Sequence, residues 1–163
     1  MLQRGRFTHD QAVAGDGMVV FLIGMRVNKW WKVTSWWPVA MAMGPMLAEL
    51  SRDEGLGLLG FRTLLGGRGP TLVQYWRDVD SLYAYAGNRD ANHHPAWMAF
   101  MKRAAKANGA VGIWHETFPV RGAESVYVDM PVVGLPAVTG PVPVTRRLDR
   151  ARDRLGVQRG KTA

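Results

Sequence analysis

Cysteine is absent from all 163 residues. That excludes disulfides, iron–sulfur clusters, thiolate haem ligation and cysteine-based zinc sites. No apolar run approaches the roughly 18 residues of a membrane span, so no membrane partner is expected. Residues Met1 to Asp10 lack the apolar core of a signal peptide, and a cytoplasmic location is the simplest expectation. No serine stands in a nucleophile elbow, and no Rossmann glycine fingerprint follows a strand. Flavin or nicotinamide held in that manner is therefore not expected. Gly66-Gly67-Arg68-Gly69-Pro70 lacks the lysine ending of a phosphate loop and reads as a hairpin turn.

Acidic residues are also scarce: 13 against 21 Lys and Arg, a net charge of +8. The imbalance is local. Arg146, Arg147, Arg150, Arg152, Arg154, Arg159 and Lys161 crowd the end of the chain against Asp149 and Asp153 alone. Such a stretch reads as a solvated tail. The positive charge invites a nucleic-acid partner, but no helix-turn-helix, RNP or zinc pattern accompanies it, so such a partner is not expected.

What is present is a single domain's worth of alternating patterns. Residues 1–17 are polar and read as an N-terminal arm. Met18 to Val27 is a strand with apolar residues on both faces, so both need a cover. Trp36 to Arg52 carries a helical stripe, with Pro38 in its first turn and Pro45 as a kink. Leu56 to Leu65 and Thr71 to Arg77 read as strands, and Asp78 to Ala86 as a short helix. A further helix follows Asn92, with Pro95 in its first turn and Asn108-Gly109 as its stop. Ala110 to Phe118 alternates as a strand, with Val111, Ile113, His115 and Thr117 on one face. Residues 131–163 read as an extended, proline-rich arm and the basic tail, on which little core depends.

The order strand, helix, strand, strand, helix, strand over residues 18–130 predicts an α+β, ferredoxin-like βαββαβ fold. Both helices then lie on one sheet face. The apolar residues on the other face predict a homodimer with the sheets packed together.

Two constellations carry chemistry. His93 and His94 stand at a helix entrance, and His115 lies in the adjoining strand. Neutral imidazole binds haem iron or moves protons, so His94, with His93 beside it, is the candidate ligand and His115 the candidate acid/base. The bland alternative is helix capping and a hydrogen-bonded core histidine. Trp30, Trp31, Trp36 and Trp37 crowd eight residues and can wall a planar apolar ligand, with Trp97 and Tyr75 as further lining. The same tryptophans would equally suit a dimer contact.

Three segments extend this reading: Gln74-Tyr75-Trp76-Arg77-Asp78-Val79-Asp80-Ser81-Leu82-Tyr83-Ala84-Tyr85-Ala86, His93-His94-Pro95-Ala96-Trp97, and Gly112-Ile113-Trp114-His115-Glu116-Thr117. Together they resemble a bacterial and fungal monooxygenase-like family that includes an enzyme of the fumagillin pathway. The resemblance covers about Met18 to Gly134. It implies the dimeric α/β-barrel fold of the antibiotic-biosynthesis monooxygenases, many of which oxidise polycyclic substrates without metal or flavin. The histidine segments are also similar to those of haem-dependent aldoxime dehydratases. That likeness implies His94 as proximal haem ligand and His115 as distal acid/base. The expected protein is a small-molecule oxidoreductase, monooxygenase-like, with haem as the one cofactor in view. The alternatives are a haem lyase and a haem- or ligand-binding carrier.

Overall fold

The structure is a computed structural model that describes residues 1–14, 17–87 and 108–156, together with Pro95, Met98, Lys102 and Lys106, which are helical. The chain divides into two compact units, Val19–Phe118 and the two flanking stretches Met1–Met18 and Pro119–Ala163.

The inner unit is built on strands β2 (Val19–Val27), β3 (Leu58–Gly66), β4 (Gly69–Trp76) and β5 (Val111–Pro119), in the order β3-β4-β2-β5. β4 runs antiparallel to both β2 and β3, so β2 and β3 are parallel with β4 inserted between them. Helix α1 (Val33–Leu50) makes the crossover, and helix α2 (Val79–Gly87) joins β4 towards β5. This is the split βαβ of a ferredoxin-like fold. The expected α+β class and element order are those observed.

Alternation along β2 sets the layers. Met25 and Val27 pack with Val111, Ile113 and the α1 residues Trp36, Val39 and Ala40. Val19 packs with Trp76 and the α2 residues Leu82 and Tyr85, with Phe21 and Val79 beside them. Both helices therefore cover the odd-numbered face of β2. α1 starts at Val33 and includes Pro38 and Pro45. Pro38 is its sixth residue, not a first-turn residue, because the helix opens three residues earlier than the stripe indicated. Asp78 caps α2: its carboxylate accepts the Ser81 N–H at 2.6 Å, which holds its pKa below the usual range.

The turn between β3 and β4 is Gly67-Arg68, closed by the pair Gly66 and Gly69. Gly69 has φ +147°, and a Cβ there would collide with the Met25 carbonyl oxygen. Only glycine lets the hairpin approach β2 so closely. Asn108 and Gly109, at φ 46° and 68°, form the turn before β5, where the sequence places a helix stop.

The outer unit corrects the sequence reading. Leu2–His9 is not an arm but β1, the centre of a three-stranded sheet β6-β1-β7 with β6 (Tyr127–Pro131) and β7 (Pro141–Pro143). Phe7, Thr8 and His9 are all buried, so both faces of β1 are covered. Polar sequence hid this, because Thr8 and His9 satisfy their side chains inside. Thr8 Oγ1 donates to the Ser125 carbonyl at 2.7 Å, and His9 Nδ1 lies 2.8 Å from Ser125 Oγ. Residues 131–163 are not simply extended either. They include the short helices Leu135–Thr139 and Ala151–Arg154. The tail is anchored: Arg154 is buried, pairs with Glu124 at 2.5 Å, and donates to the Leu148 and Asp149 carbonyls.

Candidate active site

The helix-side face of the inner sheet carries the candidate site. Ladder pairing puts Phe61, Gln74 and Phe21 in register across β3, β4 and β2. On the neighbouring strand β5, the His115 ring lies 5.6 Å from that of Phe21, tilted by 36°. One row therefore crosses all four strands: Phe61, Gln74, Phe21, His115. His115 shares its face with Val111 and Ile113, as alternation predicted, but it is exposed while Val111 is buried. It is exposed, two residues past the Ile113 that packs with α1, and lies against an aromatic ring.

Gln74 went unnoticed in the sequence. It is only 6% exposed, and its Oε1 accepts the indole N–H of Trp76 at 2.9 Å. A glutamine between apolar residues at an inward position of a strand was the available signal.

The tryptophans are partly assembled. Trp36 lies edge-on to Trp30 at 5.7 Å and to Trp37 at 5.8 Å, and its indole N–H donates to the Trp30 carbonyl at 3.1 Å. Trp36 packs on the sheet. Trp30 and Trp37 are exposed, and Trp31 is 76% exposed and outside these stacking contacts. Their loop is pinned beside the start of β5, since the Asn28 and Lys29 N–H groups both donate to the Ala110 carbonyl. Tyr75 is a correction. It pairs with Val20 on the sheet face away from the helices, so it does not line this site. His93, His94 and Trp97 lie outside the described residues.

Among the described residues no cluster of three or more His, Asp or Glu can hold a metal ion. A hollow of about 360 Å³ occurs in the outer unit, lined by Arg6, Val144, Thr145, Arg146 and Asp149. Of its two cations, Arg6 is paired with Asp149, and no histidine lines it. Among the described residues no helix is long and apolar enough to cross a membrane.

A ferredoxin-like sheet with an imidazole and aromatic rings on its helix side defines the class, an α+β protein of ferredoxin-like fold. Residues 18–135 match the model of the monooxygenase af470-like family, and the chain belongs to that family. Its coarse activity is accordingly that of a monooxygenase-type oxidoreductase. The chain is also similar to several solved structures. SnoaB, a cofactor-independent oxygenase from Streptomyces nogalater, is 14% identical over 66% of this chain and 96% of its own, with a TM-score of 0.42. A dimeric protein of ferredoxin-like fold from Bacteroides fragilis NCTC 9343 is 14% identical over 65% and 99%, with a TM-score of 0.44. An aldoxime dehydratase in complex with butyraldoxime is 14% identical, with a TM-score of 0.55. That match covers 84% of this chain but only 39% of the dehydratase. The comparison with curated proteins finds no match.

Proposed function

We propose that the protein is a monooxygenase-type enzyme that oxidises an apolar, aromatic small molecule on the helix-side face of its inner sheet. The observation that carries this is the exposed His115 imidazole beside Phe21, at the end of the row through Gln74 and Phe61. An imidazole can take a proton from a carbon acid, and the neighbouring rings give a flat substrate something to lie on. In the simplest chemistry the substrate supplies its own electrons. An activated CH₂ loses a proton to His115, its carbanion reduces dioxygen, and the balance is R₂CH₂ + O₂ → R₂C=O + H₂O. Trp30 and Trp37 form a further wall, and Trp31 and Trp97 are further candidates.

The test is oxygen uptake with a polycyclic aromatic carrying an activated CH₂, in the presence of a chelator, comparing wild type with His115→Ala. Uptake that needs His115 supports the reading. No uptake by wild type with any such substrate overturns it.

Haem is the second reading, favoured by the exposure of His115, since a proton-handling group must be accessible to a bound cofactor. His94, with His93 as its neighbour, would hold the haem iron. Haem when bound supplies the iron chemistry, and His115 holds or moves a proton at its imidazole. A Soret band that appears on adding hemin and vanishes in His94→Ala would establish it.

We also propose a homodimer through the other sheet face. Val20, Leu22 and Val73 line it, and Trp114, Phe118 and Leu64 on it are exposed. An obligate interface of about 2,000 Å² or more would bury them. A monomer mass by light scattering at micromolar concentration would exclude it. A cytoplasmic location fits the lack of cysteine and stays part of the proposal.

A further inference from the structure

Gln74 presents an imbalance that the fold does not resolve. The residue is 6% exposed, so water scarcely reaches it. An indole N–H can only donate, so the Gln74 atom 2.9 Å from Trp76 Nε1 is the carbonyl oxygen. The amide orientation follows from chemistry, and the NH₂ is the end left over. Among the described residues that NH₂ has no hydrogen-bond partner. A buried donor without an acceptor is costly, and native proteins retain few of them.

The neighbours of this donor are informative. Phe21 and Phe61 are its direct cross-strand partners on the two adjacent strands. Phe61 is 40% exposed and Phe21 half-buried, so the rings rather than the amide meet solvent first. An apolar, flat ligand settles on such rings, and any oxygen it carries over the strand between them lies above Gln74. Strand spacing is about 4.8 Å, so Gln74 and His115, two strands apart, are separated by roughly 10 Å.

We infer that Gln74 is a ligand-orienting residue of this site: its free amide N–H donates to a carbonyl or phenolate oxygen of an aromatic ligand lying over Phe61 and Phe21. The inference rests on the proposed use of this face as the active site. It adds a selection rule, that the ligand bears an acceptor oxygen at one end and its reacting carbon towards His115. A hydrogen bond formed in the absence of water makes the donor discriminate strongly between ligands with and without that oxygen. The same contact fixes which edge of a flat ligand faces the imidazole, which stacking alone leaves free.

Fluorenone and fluorene, a carbonyl compound and its oxygen-free counterpart, serve as probes. Their affinities are read without dioxygen, so that fluorene is not oxidised, from quenching of tryptophan fluorescence in wild type and Gln74→Met. Methionine keeps the length of the side chain and removes the donor. Loss of Trp76's acceptor in that variant acts on both probes alike, so the ratio of affinities is the readout. The expected result is that the preference for fluorenone over fluorene falls about tenfold in Gln74→Met, with fluorene binding little changed. Should the variant not fold, the carbonyl stretch of fluorenone bound to wild type decides. A shift to lower frequency relative to apolar solvent supports the hydrogen bond, and no shift overturns it. An unchanged preference in the variant also overturns the role of Gln74 while leaving the site standing. Failure of both probes to bind wild type overturns the site and the inference together.

Discussion

The indole of Trp114 lies directly on Gly24. A Cβ built on Gly24 would stand 2.7 Å from Trp114 Cε2 and Nε1, well inside van der Waals contact. The pair sits on the sheet face opposite the helices, on adjacent strands β2 and β5. Glycine there is a packing requirement, because the ring occupies the space of the missing side chain. Gly24→Ala should cost about 1–3 kcal/mol through overpacking. Adding Trp114→Leu to it should recover most of that loss. Chemical denaturation of the two variants checks both statements, and full stability of Gly24→Ala would show that the ring moves aside freely.

His115→Ala should leave the protein folded, since the side chain is exposed and fills no core position. Turnover should fall by about 10²–10⁴-fold, the usual value of a lost acid/base group. Equal rates with unchanged circular dichroism would remove His115 from the mechanism.

His9 links the outer unit to pH. Burial pushes its pKa below the ordinary histidine value, against the opposing pull of Glu124 and Asp10. The folded protein thus binds this proton less readily than the unfolded chain does. Its stability contribution is complete above about pH 6.5 and is lost as pH falls from there through the lowered folded value. Melting temperature should decline across that acid window, and His9→Asn should flatten the decline. An identical slope in the variant would assign the effect to other groups.

Arg154→Ala should destabilise the outer unit by about 3 kcal/mol, because the change breaks a largely buried pair with Glu124. Arg154→Lys should recover only part of this, since one ammonium cannot reproduce the guanidinium fork that meets Glu124 and two carbonyls. Thermal melting distinguishes the three proteins. Deleting the tail from residue 146 onward should be at least as damaging as Arg154→Ala, the reverse of what its composition indicates.

Local pattern made the inner unit legible. The alternation in β2 and β5, the stripe of α1, the Gly67-Arg68 turn and the Asn108-Gly109 stop are all set by neighbours a few residues away. Their order alone specifies the split βαβ, and the His115 face follows from counting along β5 from Val111. The tertiary structure decided the rest. Tyr75 stands next to Gln74 in the chain, yet only the pairing of β4 with β2 shows that the two serve opposite faces. Leu2–His9 looks polar because the groups that satisfy Thr8 and His9 come from Ser125, more than a hundred residues on. Arg154 looks like a solvated charge until Glu124 and two carbonyls close around it. Backbone periodicity is written in adjacent residues, whereas the partner of a buried polar group is chosen by the folded chain.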